Sequence, residues 1–249
     1  MFKIGDYVTR RKHNNDIVFK IVKIDKNIVY LMGADVRLFA NSTIDDLVEC
    51  KYCKKKENFD IKRELNISKY FYIPGKVLHV DTDEEYMDRC EKYYRSQKVR
   101  CFVYHFNIKD FEKNIINLIE KNNPDIVVIT GHDAYYKNEN KYLNSDYYIR
   151  TVKKIRQKYK NYNDLIIIAG ACQSNYEGLM MSGANFASSP THSNIHALDP
   201  AIIAADVSYS NIDKKIDIEK ILNDTNYGSK GFGGIIINGI MKYGFPRKE

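Results

Sequence analysis

From residue 71 onward, short apolar runs alternate with longer stretches of helical period. Residues 77–80, 99–104, 126–129 and 165–168 are apolar runs too short for helices, and several are bounded by Asn, Asp, Pro or Gly, so each predicts a buried strand. Between them lie segments with one apolar face. Phe111, Ile115, Leu118 and Ile119 fall at i, i+4, i+7 and i+8, and Tyr148, Val152, Ile155 and Tyr159 form a second stripe behind a capping Ser145. Residues 83–96 predict a helix after the first strand. This alternation predicts an α/β fold with a parallel sheet covered on both faces. Further along, a helix through Leu179 and Met180 should stop at Gly183, a strand should follow at 185–189, and 195–207 reads as helical. The glycine-rich stretch 228–234 fits neither phosphate-binding fingerprint and reads as a flexible loop near the site.

The amino-terminal 48 residues follow a different rhythm. Apolar and polar residues alternate around 7–8, 17–24, 28–31 and 36–39, separated by the turn signals Asn14-Asn15-Asp16 and Asp25-Lys26-Asn27. Short strands at this spacing predict a small all-β barrel of SH3-like type. Residues 51–70, with Lys54-Lys55-Lys56, lack a clear period and read as a charged linker. The expected division is 1–50 barrel, 51–70 linker and 71–249 α/β domain.

Candidate chemistry sits where two predicted strands end. One run leads through Thr130-Gly131 to His132-Asp133, and the other through Gly170-Ala171 to Cys172-Gln173. Parallel sheets bind ligands at the carboxyl ends of their strands. If the two strands are neighbours, imidazole and thiol lie side by side, as the base and nucleophile of a cysteine peptidase do. A helix beginning at Gln173 would place its unpaired N–H groups near the thiol and favour thiolate. Backbone N–H groups at Cys172 and beside His132 are the expected oxyanion donors, with Gly131, Asp133 and Ala171 as positioning residues. Asp133 either orients His132 or lines the substrate pocket. Gln173, Glu177, His196 and Asp199 are candidates for substrate contact, with His192 in the same block. A Cys-His pair formed with His196 instead would make an amidotransferase-like hydrolase, and a third reading is a non-catalytic binding protein.

Histidine precedes cysteine by 40 residues, which resembles the caspase-type arrangement. The segments TGHDAYYKNENKYLNSDYY and AGACQSNYEGLMMSGANFASSPTHSNIHALDP, with IGDYVTRRKHNNDIVFKIVKI and GADVRLFA near the amino terminus, resemble the YabG family of sporulation-specific peptidases over most of the chain. The resemblance implies a caspase-like sandwich of sheet and helices, and an endopeptidase that processes spore coat and related proteins. It departs from the caspase-type pattern at one point: glycine precedes the histidine, at 131, and aspartate follows it. Caspase-type peptidases that accept a charged side chain in the first pocket suggest cleavage after Arg, with Asp133, Glu177, Asp199 and Asp206 as candidate acids.

The net charge of +7 arises from 39 basic and 32 acidic residues interleaved along 249, so no nucleic-acid partner is expected. Arg10-Arg11-Lys12 reads as a solvated turn. The amino terminus has no signal-peptide core, and no run nears the roughly 20 apolar residues of a membrane span. The expected setting is the cytoplasm of the sporulating cell, with spore-coat association, protein substrates as partners and no membrane contact. Five cysteines there imply reduced thiols. Cys50 and Cys53 have the spacing of half a zinc knuckle, but no second pair follows, and neither a metal nor another cofactor is expected. Oligomeric state is not legible.

Overall fold

A computed structural model describes residues 2–53, 65 and 69–246. The expected linker, including Lys54-Lys55-Lys56, lies largely outside the described residues. The amino-terminal part is a five-stranded antiparallel sheet of β1 (Tyr7–Arg10), β2 (Phe19–Asp25), β3 (Ile28–Gly33), β4 (Phe39–Thr43) and β5 (Leu47–Glu49), in the order β4-β3-β2-β1-β5. Strand β6 (Phe71–Ile73) opens the second part and pairs later with the last strand. Next come β7 (Val77–Asp81), α1 (Glu84–Ser96), β8 (Cys101–His105), α2 (Phe111–Asn122) and β9 (Ile126–Ile129). A two-stranded ribbon, β10 (Tyr135–Tyr136) with β11 (Lys141–Tyr142), precedes α3 (Ser145–Lys158), β12 (Ile166–Ala169), α4 (Tyr176–Ser182) and β13 (Phe186–Ser188). The chain closes with α5 (Asp199–Ser208), α6 (Ile218–Asn223), α7 (Gly228–Gly231), β14 (Phe232–Gly234) and β15 (Lys242–Gly244).

The fold is mixed α/β. Its main sheet runs β14-β13-β12-β9-β7-β8 and is parallel apart from β14. Strand alternation sends Val127 and Ile129 to one face, where they pack with Phe111, Ile115, Tyr148, Val152 and Ile155 of α2 and α3. Ile126 and Val128 turn to the other face, with Cys90, Tyr93 and Tyr94 of α1 and Ala201 and Ala204 of α5. That second apolar cluster continues without a break into Phe19, Ile21, Val29 and Leu31 of the amino-terminal sheet. The fully apolar run at 126–129 reads correctly in the sequence because both its faces are covered.

Four elements depart from the sequence reading, each for a local reason. No helix begins at Gln173, whose φ of 57° is left-handed; α4 starts at Tyr176, and the Asn175 side chain accepts the Gly178 N–H at 2.9 Å as its cap. Residues 195–198 are not helical, since α5 begins at Asp199 with Pro200 in its first turn, the position proline favours. The stretch 228–234 is not a flexible loop but α7 followed by β14, which pairs antiparallel with β13. Residues 36–38, expected in a strand of the amino-terminal sheet, instead leave it as part of the loop joining β3 to β4.

Candidate functional site

His132 and Cys172 stand at equivalent positions. Strands β9 and β12 are parallel neighbours with Ile129 opposite Ala169, and each functional residue lies three positions past the end of that pairing. The turns need small residues. Gly170 has φ 111°, and a side chain at Gly131 would collide with the Tyr148 hydroxyl and Thr82. His132 is nearly buried. Its Nε2 lies 2.8 Å from Asp83 Oδ2, its ring packs against Tyr86 with centroids 5.1 Å apart, and its buried Nδ1 has no hydrogen-bond partner. Asp83 is also the N-cap of α1, accepting the Tyr86 N–H at 3.0 Å. Burial alone would push its carboxyl up, but the hydrogen bond and charge of His132 hold it below its ordinary value.

Cys172 is fully buried. Its Sγ accepts the Ile195 N–H at 3.1 Å and faces the Ile195 carbonyl at 3.5 Å. Burial pushes the thiol well above its usual range, against the pull of the Ile195 N–H and of Arg37. The helix terminus expected to favour thiolate begins at Tyr176, four residues beyond Cys172.

The β3–β4 loop bonds to the main chain at Cys172. The Arg37 carbonyl accepts two hydrogen bonds, from the Cys172 N–H at 3.2 Å and from the Asp133 N–H at 3.4 Å. On the near side, the Arg37 N–H donates to Ile195 O at 3.2 Å and the Ala197 N–H to Asp35 O at 2.9 Å. On the far side, the Phe39 N–H donates to Asp133 O at 3.0 Å. Residues 35–39 thus cross the carboxyl edge of the sheet as a short segment bonded to both flanking loops.

The Arg37 side chain is as fully enclosed as its backbone. Its Nη1 lies 2.6 Å from Asp81 Oδ2, while Nε and Nη2 donate to the Ala197 carbonyl at 3.2 and 2.9 Å, and Tyr86 presents its ring face at 5.1 Å. Asp81 ends β7 and also accepts from Thr130 Oγ1 at 2.6 Å and from the Asp83 N–H at 2.9 Å. Burial opposes both charges, yet the pair wins: Arg37 holds the Asp81 carboxyl well below its usual range, and Asp81 raises Arg37. Neither Asp81 nor Asp83 was singled out from the sequence, although two acids at the carboxyl end of a parallel strand lie where ligands bind.

The remaining candidates separate clearly. Asp133 is beside the site but turned away from His132. Its Oδ1 accepts the N–H groups of Ala134 and Asn144 at 2.8 and 2.7 Å, and its Oδ2 accepts Ser145 and Ser174 hydroxyls at 2.6 and 2.9 Å. Burial pushes its carboxyl up to about 6 despite those bonds. The Ala171 N–H points to Ser174 Oγ at 2.9 Å rather than into the cleft. Gln173 Oε1 accepts the Tyr135 N–H at 3.2 Å. Glu177 is exposed on α4, and Asp206 lines a cleft of about 620 Å³ with Tyr209, Lys214 and Lys220. Buried Asp199 accepts from the His196 N–H at 2.8 Å and from Asn226 at 2.8 and 2.9 Å, so it clamps two loops. His196 pairs through its backbone with Val36, and its Nδ1 accepts the Leu198 N–H at 3.3 Å, within its own turn. His192 stacks on Tyr135 at 4.7 Å.

Fold and site together define an α/β protein that holds a loop of its own amino-terminal sheet across the carboxyl edge of its main sheet. The sequence model of the YabG peptidase U57 family matches residues 3–66 and 50–246. The sporulation-specific protease YabG of Bacillus subtilis (strain 168) is 37% identical over 287 aligned positions, covering 100% of this chain and 99% of that protein. The chain belongs to the YabG peptidase family.

Proposed function

We propose that the chain is a cysteine endopeptidase in which Cys172 is the nucleophile and His132 the general base and acid. The observation that carries this reading is the convergence of two N–H groups, of Cys172 and Asp133, on one peptide carbonyl. That is the geometry an oxyanion requires. In the proposed reaction His132 accepts the thiol proton as sulfur adds to the scissile carbonyl. The tetrahedral oxyanion takes hydrogen bonds from the two N–H groups, and the proton passes to the leaving amine as the C–N bond breaks. Water, deprotonated by His132, then hydrolyses the thioester. Asp83 holds the imidazole through Nε2, which leaves Nδ1 for the reacting atoms.

Cleavage after Arg is part of the proposal. The peptide whose carbonyl meets the two N–H groups carries an arginine, and a buried carboxylate with a backbone carbonyl receives its guanidinium. Lysine cannot match that set of bonds with a single ammonium. The division 1–50, 51–70 and 71–249, an SH3-like amino-terminal module and a caspase-like arrangement of the α/β part belong to the same reading. So do spore coat and related proteins as substrates; the name of the Bacillus relative, a sporulation-specific protease, supports the sporulating cell as the setting.

A peptide library tests the reaction. With Arg37→Ala protein, whose cleft the loop side chain no longer fills, cuts should fall after Arg, with Lys a poorer substitute; cleavage indifferent to that residue, or none by the folded variant, would overturn the proposal.

A further inference from the structure

We infer that the β3–β4 loop is a built-in occupant of the substrate cleft, with Arg37 filling an arginine subsite whose base is Asp81, and that the protein is closed to other peptides until this loop withdraws. The inference rests on the peptidase reading of Cys172 and His132 and adds to it how the site is regulated.

The loop is bound as a ligand, not merely nearby. Its main chain bonds to Ile195 and Ala197 on one side and to Cys172 and Asp133 on the other, while the guanidinium meets Asp81 and the Ala197 carbonyl. Its flanks are clamped as well. Tyr86 donates to Gly33 O and to Val36 O at 3.1 Å, Arg89 donates to Ala34 O and Asp35 Oδ1 at 3.2 Å each, and the Tyr52 hydroxyl donates to Asp35 Oδ1 at 2.7 Å. With Arg37 and Cys172 both at 0% exposure, no outside peptide can reach the sulfur without displacing residues 35–39.

The loop is also built to block rather than to leave. The Gly33 N–H donates to Leu38 O at 2.9 Å, and the Leu38 N–H folds back onto Val36 O at 2.8 Å. Both ends continue into paired strands, β3 and β4. A peptide group whose two sides are tied together keeps its amine half beside the acyl carbon, which favours resealing over release and slows turnover of the loop.

Arg37→Ala should open the cleft and leave the Asp81 subsite vacant for a guanidinium. The first measurement is the rate at which an arginyl chloromethyl ketone alkylates Cys172, read by intact mass and peptide mapping. The variant should react at least tenfold faster than the wild type. The second uses agmatine with the nucleophile removed, so that binding is read without catalysis. Agmatine should raise the melting temperature of Arg37→Ala/Cys172→Ala protein and leave Cys172→Ala protein unchanged, and adding Asp81→Asn should abolish the effect.

Should Arg37→Ala not fold, Arg37→Lys keeps a cation against Asp81 but gives up the paired bonds to the Ala197 carbonyl. It should alkylate at a rate above wild type. Equal alkylation rates across the folded variants, or agmatine binding no better without Arg37 than with it, would overturn the inference. An opened variant that binds agmatine yet hydrolyses no arginyl peptide would instead count against the peptidase reading.

Discussion

The carbonyl oxygen of Arg37 lies 3.2 Å from the backbone nitrogen of Cys172, joining the β3–β4 loop to the turn that follows β12 in the α/β part. One peptide group therefore marks where a carbonyl can sit against the cysteine, and which groups surround it.

The two histidines that could serve Cys172 should behave differently. His132→Ala should lower kcat by about 10²–10⁴-fold, the usual contribution of a positioned acid and base. His132→Ala/Cys172→Ala should be little worse than either single change, because residues acting as one unit are not additive. His196 already spends Nδ1 on the Leu198 N–H, so His196→Ala should keep the wild-type kcat within about threefold, a conservative margin against that range. Steady-state kinetics on an arginyl peptide with the opened protein separates the cases; an inactive His196→Ala with an active His132→Ala would favour the amidotransferase-like arrangement.

In the proposed mechanism Asp83 is a positioning residue acting through the His132 ring. Asp83→Asn should reduce kcat with little change in KM, since the peptide-binding groups are untouched, and Asp83→Glu should recover part of the loss. A structural role alone would instead show as a lowered melting temperature with normal kcat in the folded fraction. Measuring both quantities on each variant decides between them.

Asp133 offers a test by pH. Its folded carboxyl is pushed up to about 6, above the ordinary value near 4, so between those limits the folded state binds more protons than the unfolded one. Its contribution favours folding below pH 4 and is lost as pH rises through about 6, by on the order of 1–3 kcal/mol. In Asp133→Asn the amide oxygen can keep the Ala134 and Asn144 bonds, and the two serine hydroxyls can rotate to accept from its NH₂. Comparing urea midpoints of the two proteins from pH 4 to pH 7 should show the wild type losing stability relative to the variant as pH rises. Arginine preference should survive the change, because the Asp133 side chain does not face the Arg37 guanidinium.

The neighbouring ends of β9 and β12 were legible because each is a fully buried apolar run closed by a small residue, which fixes where a functional side chain emerges. That His132 and Cys172 stand at neighbouring strand ends followed from that alone. Arg37 was not legible in the same way. Val36 and Leu38 are both buried, so the alternation reads as an ordinary strand, and the arginine between them looks like its solvent-facing partner. Its true neighbour, Asp81, is 44 residues away, and local pattern carries no information about that distance. The missed signal was Gly33-Ala34-Asp35, a turn sequence between two apolar stretches, which makes residue 37 a loop residue. Asp83 was hidden for a different reason: it is a helix cap, and capping accounted for it before its second bond, to His132, could be considered.

The acidic candidates chosen for arginine recognition fail on one physical point. Asp133 and Asp199 are buried, but each already holds backbone N–H groups of its own loops, and Glu177 is exposed. A carboxylate already used to tie loops together is a poor receptor for an incoming guanidinium. Asp81 also holds a backbone N–H, that of Asp83, but on Oδ1; its Oδ2 is directed at the Arg37 guanidinium with the Thr130 hydroxyl beside it.

The central claim is that the Cys172 sulfur is the nucleophile. Mass spectrometry of the protein after reaction with a limiting arginyl chloromethyl ketone tests it directly, using Arg37→Ala protein so that the cleft is open. The account predicts a single adduct on Cys172, loss of all peptide hydrolysis in step with that adduct, and no hydrolysis by folded Cys172→Ala protein. Alkylation spread over Cys50, Cys53 and Cys172 alike, or hydrolysis persisting in folded Cys172→Ala protein, would contradict it.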